Sequence, residues 1–227
     1  MPPTMTDATR LKRLRGRFRL AADDPITFLR WFVWTLDQHD KLHPVKRFPA
    51  ERPQIVPVTR LWQANPLLSI RKSRQVVMTW LFAALSLWDA MFHRGRLVML
   101  QSKRLEDAVG NEASGDGPLG RAKFILHHIP GLRLLGIEEG RDYRITETRI
   151  EFPAINSAVW AIPQGANIIR QRTASGILSD ESHFQEEFAD AYAAALPCIR
   201  GGGWFVSLST AHPGAANDLH DDNLGSR

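Results

Sequence analysis

Residues 72–79 read Lys-Ser-Arg-Gln-Val-Val-Met-Thr, between an apolar run at 67–70 and a strongly apolar stretch from Thr79 onward. A turn joining a buried strand to a helix N-terminus aims several backbone N–H groups at one spot, and the helix dipole adds positive potential there. Phosphate chemistry belongs in such a turn. Its usual sequence is G-x-x-x-x-G-K-S/T, with a lysine on the phosphates and a hydroxyl on magnesium. Thr79 fits the hydroxyl, but Met78 stands at the lysine, Val77 at the second glycine and Lys72 at the first. Lys72, at the head of the loop, can reach phosphates from the opposite side, and Arg71 and Arg74 add further positive charge. Alone, the segment also fits a basic turn before a buried helix.

Residues 177–181, Ile-Leu-Ser-Asp-Glu, form a second element. An apolar strand ending in two carboxylates can hold a magnesium shell with the first and orient and deprotonate an attacking water with the second. Both must project from the carboxyl edge of a sheet, where ligands of open α/β folds bind. The bland alternative is an acidic N-cap for the helix that follows. A third segment, 205–210, ends in Ser209-Thr210, where a strand end can sense the terminal phosphate and pass the signal on.

The elements that must position these residues follow from periodicity and punctuation. Asp24-Pro25 reads as a helix start, followed by Phe28, Trp31, Phe32 and Leu36 at helical spacing. Prolines at 44, 49 and 53 make 41–54 a connecting loop. Buried strands are expected at 67–70, 96–101, 175–179 and 204–208, and a further strand at 157–162. Helices are expected at 79–93, 103–109, 121–128 and 184–196, with a surface loop at 110–120. Residues 143–152 alternate without a clean apolar face and read as one exposed or edge strand. Strands alternating with helices argue for a mainly parallel sheet covered on both faces. The residues before Asp23 and after Pro213 are expected to lack order, which leaves 23–212 as the folded domain, flanked by 1–22 and 213–227.

The chain has 227 residues, 44% hydrophobic and 23% charged, enough for one substantial core. Its net charge of +5, concentrated at Arg10, Lys12, Arg13, Arg15, Arg17 and Arg19, favours polyanionic partners, nucleic acid first. A single cysteine, Cys198, excludes an internal disulfide framework and suits a reducing cytosol; it reads as a small buried residue. No secretory signal is visible, and the apolar stretch 76–92 is short and contains Asp89, so a buried helix in an intracellular protein is expected. His39 and His43 are spaced like metal ligands, yet Pro44 follows and no third ligand is evident. His127-His128 suggest packing alone. Gly201-Gly202-Gly203 precede a strand and read as a turn, while Ser207, Ser209 and His212 lack the strand–elbow–helix context of a nucleophile.

The order and spacing of the loop at 72–79, the Asp-Glu strand a hundred residues later and the Ser-Thr strand soon after resemble the large terminase subunit of tailed phages and prophages. The resembling residues are Lys72-Ser73-Arg74-Gln75 and Thr79-Trp80, then Thr173-Ala174-Ser175 leading into 177–181, then Ser209-Thr210. Many members read S-R-Q-x-G-K-S/T; a minority put the lysine first, as Lys72 does. The stretch from Asp24-Pro25 to Phe28, with Phe48-Pro49 and Gln54, resembles the family's adenine-contacting segment. The likeness spans 24–213.

What the resemblance implies is a P-loop NTPase (ASCE/RecA-like) fold with a helical N-terminal segment, the loop before Thr79 lying beside the Asp180-Glu181 strand. It also implies ATP and Mg²⁺ as ligands. Lys72 neutralises phosphate charge, with Ser73, Arg74 and Gln75 in the same loop. Thr79 and Asp180 hold Mg²⁺, Glu181 is the catalytic carboxylate and Arg74 a cation acting in cis on the terminal phosphate. Ser209 and Thr210 couple hydrolysis to movement, and Gln54 recognises adenine. The implied partners are double-stranded DNA, the small terminase subunit and the portal protein, with the chain acting in a homo-oligomeric ring in the bacterial cytoplasm, away from membrane. Two departures stand out. Val77 is β-branched where a glycine normally allows positive φ. The family's nuclease domain would follow Thr210, and Asp218, His220, Asp221 and Asp222 offer no scaffold for a metal, so no DNA cleavage is expected. Rival readings are a helicase-like nucleic-acid ATPase and a non-catalytic terminase remnant, the latter favoured by Val77 and Met78.

Overall fold

Beneath the arginines of the N-terminal stretch run Leu11, Leu14, Phe18 and Ala21, spaced three or four apart, so one face of a helix there is apolar. The computed structural model, which describes residues 7–73 and 77–210, has this helix as α1 (Asp7–Asp23). Phe18 meets Phe32 and Phe92 edge-on at centroid distances of 5.4 and 5.1 Å. The expectation that 1–22 lacks order is corrected for the residues from Asp7 on. Dense charge masked an apolar stripe whose packing offsets the entropy of ordering the helix.

Asp24 caps α2 (Pro25–Phe32) by accepting the Thr27 backbone N–H at 2.9 Å, with Pro25 in the first turn. Phe28 and Phe32 are buried, whereas Trp31 lies outside that face under the Arg17 guanidinium, 3.8 Å from its ring centre. The proline-rich stretch is not loop throughout. β1 (Trp34–Leu36) and β2 (Val45–Arg47) pair antiparallel, and α3 (Ile55–Ala64) follows.

The rest alternates: β3 (Leu67–Lys72), α4 (Met78–Phe92), β4 (Leu97–Ser102), α5 (Leu105–Val109), α6 (Pro118–His128), β5 (Arg144–Ile145), β6 (Arg149–Phe152), β7 (Ser157–Pro163), α7 (Asn167–Gln171), β8 (Gly176–Asp180), α8 (Phe188–Arg200) and β9 (Trp204–Thr210). A 7-stranded sheet takes the order β3-β9-β8-β4-β7-β6-β5. The first five of these run parallel; β6 and β5 turn antiparallel at one edge. The single strand expected at 143–152 is thus a hairpin. Thr146 breaks it, its hydroxyl accepting the Arg149 N–H at 3.1 Å. The 67–70 run, expected to be buried, is a half-buried edge strand.

Strand alternation divides the core between two faces. Val98, Leu100, Leu178, Val206 and Leu208 point into a large cluster with α2, α4 and α6, while Met99, Ile177 and Phe205 point into a smaller one with α7 and α8. The sheet is therefore covered on both faces, as expected. Every residue of α4 from Met78 to Ala90 is buried, Asp89 included. Asp89 accepts a two-bond fork from Arg96, at 3.0 and 2.8 Å, and the Trp204 indole N–H at 2.9 Å, which satisfies the acid inside the core. Among the described residues no helix is long and apolar enough to cross a membrane.

Candidate functional site

Parallel strands with right-handed crossovers deliver the ends of β3, β9 and β8 to one carboxyl edge. Lys72 ends β3 in register with Thr210, the last residue of β9, while Asp180 ends β8 opposite Leu208. The loop and the Asp-Glu strand are not sheet neighbours, because β9 runs between β3 and β8. Their side chains meet across its end. The Lys72 ammonium donates to the Thr79 hydroxyl at 2.9 Å and lies 3.1 Å from Glu181 Oε1 and 3.7 Å from Asp180 Oδ1. The Thr79 hydroxyl is 3.5 Å from Asp180 Oδ1. The Ser209 and Thr210 hydroxyls approach Glu181 Oε2 at 3.5 and 3.4 Å.

Burial sets the character of each group. The Lys72 and Asp180 side chains are only 10% and 9% exposed, against 38% for Glu181. Burial pushes the Asp180 carboxyl above its ordinary pKa; Lys72 opposes that shift, Glu181 adds to it, and Arg121 opposes it again. Glu181 sits at φ 50, ψ 42, a left-handed backbone that a non-glycine residue adopts at a cost of about 1–3 kcal/mol. This turn carries the chain off the end of β8 and leaves the Glu181 carboxylate facing Lys72.

The departures in the loop now have a geometric account. Val77 has φ −60, so its backbone does not take the positive φ that would require glycine. Met78 is 3% exposed and packs into the main core, whereas Lys72 lines the cavity. Ser73 is exposed; Arg74 and Gln75 lie outside the described residues, as do His212 and the acidic residues beyond it. A cavity of about 590 Å³ opens onto Lys72, Val77 and Thr79 at one end, and onto Asp37, Lys46 and Arg52 on and after the β1–β2 hairpin at the other. Three other described cavities, of about 840, 680 and 520 Å³, lie away from these groups. Gln54 precedes α3 and is not in the cavity wall. The structure thus brings together Lys72, Thr79, Asp180, Glu181, Ser209 and Thr210, and leaves Gln54 apart.

A hydroxyl and a buried carboxylate 3.5 Å apart, with a cation already resting between them, match the chemistry of a magnesium site completed by phosphate oxygens and water. Among the described residues, no group of three or more His, Cys, Asp or Glu forms a metal cage of its own.

Against solved structures, the chain superposes on the HK97 bacteriophage large terminase with a TM-score of 0.60, at 15% identity, over 90% of this chain and 41% of that one. The chain has the large-terminase fold. The ATPase domain of the Thermus phage P74-26 large terminase, in mutant and unmutated form, overlaps more weakly, with TM-scores of 0.47 and 0.43 at 10% identity over 67% of this chain, and adds no weight. No family model matches the sequence, and no curated protein matches it. The likeness to the terminase is therefore one of fold, and the chain spans 41% of the length of the HK97 protein. The likeness agrees with the mainly parallel sheet and with the helices on both of its faces.

This terminase-like core also exposes a residue that sequence reasoning missed. Arg121, in the first turn of α6, lines the same cavity as Lys72 and Thr79. Burial lowers its guanidinium pKa, and the fields of Asp180, Asp116 and Glu181 oppose the shift. The signal in the sequence was the glycine-rich 110–120 stretch leading straight into a helix, which reads as an ordinary surface loop until Trp80 is seen beneath it. His39 lines the cavity too, through the hairpin and without a metal-binding partner set. Gly201-Gly202-Gly203 form the turn expected before β9.

Proposed function

We propose that this chain is the ATP-hydrolysing motor domain of a terminase large subunit, which drives viral DNA into a capsid. The observation that carries it is the convergence of Lys72, Thr79, Asp180 and Glu181 at the carboxyl edge of a terminase-fold sheet.

ATP enters the cavity beneath the β1–β2 hairpin with its phosphates toward α4. The first turn of α4 offers backbone N–H groups and the positive end of its dipole, and Lys72 adds a full charge. Thr79 and Asp180 would hold magnesium, which when bound neutralises charge on the phosphate oxygens. Phosphate competes with Glu181 for Lys72. Freed from that ion pair, the Glu181 carboxylate orients the attacking water and accepts its proton. Ser209 and Thr210, whose hydroxyls bond the same carboxylate, register the change and pass it along β9 to the far end of the sheet. Arg74, in the same loop, acts on the terminal phosphate in cis, with Ser73 and Gln75 beside it. Gln54 is the proposed adenine contact, reached by movement of the segment before α3.

The proposed partners are double-stranded DNA, through the basic charge of α1, together with the small subunit and portal protein, in a homo-oligomeric ring in the host cytoplasm. Residues 23–212 form the ATPase unit, with α1 joined to it. One observation favours a second reading, a remnant that keeps the fold without the chemistry: the usual lysine place is filled by buried Met78. Calorimetry with Mg·ATP separates the two. The motor reading expects binding by the wild type and its loss in Lys72→Ala. A folded wild type without nucleotide affinity would falsify it.

A further inference from the structure

Arg121 reaches the cavity through a built support. The loop before α6 lies against the indole of Trp80, the residue that follows Thr79. Gly115, at φ +64, is so close that a Cβ there would come within 2.8 Å of Trp80 Cζ2 and 3.4 Å of Leu36 Cβ. The Gly115 carbonyl accepts Arg121 Nε–H at 2.8 Å, and the guanidinium carbon stands 5.5 Å from the Trp80 ring centre. One edge of the guanidinium is thereby fixed. The two terminal nitrogens have no hydrogen-bond partner among the described residues, and no carboxylate lies in ion-pair contact with them, although Asp180 and Glu181 act on the charge from a distance.

A half-buried cation with a fixed orientation and two free donors, facing the same cavity as Lys72, is a site for an anion. The arginine fork suits two oxygens of one phosphate. Arg121 shares the cavity wall with Lys72 and Thr79, which meet Asp180 and Glu181 at the strand ends. We propose that Arg121 binds the terminal phosphate of the nucleotide in cis, adding from α6 a positive charge to those of Lys72 and Arg74 in the loop. This rests on the ATPase reading.

The test is calorimetry of Mg·ATP and Mg·ADP with the wild type, Arg121→Ala, Arg121→Lys and Lys72→Ala, with thermal melting of each. The expected result is a loss of about tenfold or more in ATP affinity for Arg121→Ala, with a much smaller loss for ADP, because charge-assisted bonds to the terminal phosphate disappear. Arg121→Lys, which keeps a cation but not the fork, should regain only part of the ATP preference; it also serves if the alanine variant does not fold. An unchanged ratio of ATP to ADP affinity in either folded variant overturns the proposal, and an equal loss of both with a lower melting temperature marks Arg121 as a prop for the loop. If the wild type binds and Lys72→Ala does not, failure at Arg121 leaves the ATPase reading intact. If the wild type binds neither nucleotide, both fall together.

Discussion

Lys72 reaches Thr79, Asp180 and Glu181 from the end of a strand, whereas the familiar loop lysine reaches phosphate from the helix. Two predictions belong at this scale. Glu181→Gln should keep nucleotide affinity and lose about 10²- to 10⁴-fold in turnover, as expected when a general base is removed; steady-state ATPase assays check this. Unchanged turnover would remove Glu181 from the mechanism. Restoring the usual lysine should do harm. Met78 is 3% exposed among core side chains, so Met78→Lys buries a cation without a partner and should cost roughly 2–4 kcal/mol in urea unfolding. Added to Lys72→Ala, it should fail to rescue Mg·ATP binding. Rescue would mean that position 78 can turn into the cavity.

Elements matter here through what aims them. The Trp204 ring of β9 lies over Gly176 of β8, so that a Cβ there would come within 2.2 Å of it, and the ring is itself tied to Asp89. Gly176→Ala should therefore destabilise by about 1–3 kcal/mol, through overpacking, and loosen the strand that ends in Asp180. A melting temperature equal to wild type would show that Trp204 can move aside. α2 offers a pH test. Partial burial tends to raise the Asp24 pKa, but the Thr27 hydrogen bonds and Arg60 outweigh it, so the carboxyl lies below its ordinary 3.8. A depressed acid stabilises the fold above the unfolded value and loses that contribution as pH falls through the folded one. The stability gap between wild type and Asp24→Ala, about 1 kcal/mol near neutrality, should hold down to roughly pH 4 and shrink below it. A gap that widens in acid would refute the assignment.

Across the whole molecule, most of the net charge of +5 is gathered on α1, where six Lys and Arg stand against two Asp and Lys12, Arg15 and Arg19 are exposed. If α1 meets duplex DNA, replacing all three with glutamine should weaken binding at low salt and reduce the slope of log affinity against log salt by up to about 2.7, since each phosphate contact contributes about 0.9. An unchanged slope would assign α1 to another partner. The buried network around Asp89 is global in a different sense, joining α4 to Arg96 at the head of β4 and to Trp204 in β9. Asp89→Ala leaves the Arg96 charge without its partner and should cost about 3–5 kcal/mol, measured by chemical denaturation.

Alternation and punctuation were enough to read the parallel sheet, its helices, the Asp24 cap and the carboxylate pair at the end of β8, because these depend on neighbours within a few residues. The resemblance to terminases rested on spacing along the chain, and the fold agrees with it. Other features depended on contacts far apart in sequence. α1 escaped notice because its stripe has value only against Phe32 and Phe92. The expected neighbourhood of loop and Asp-Glu strand omitted β9, since strand order within a sheet is set by packing and not by chain order. Val77 looked like a defect until the backbone showed φ −60, and that Gln54 stands outside the cavity wall could not be read from the sequence. Arg121 was invisible because its meaning depends on Trp80 lying beneath a loop more than thirty residues away. Local pattern specifies which residues carry chemistry, but a site is a meeting of strand ends and helix starts, and only the packed sheet determines which of them meet.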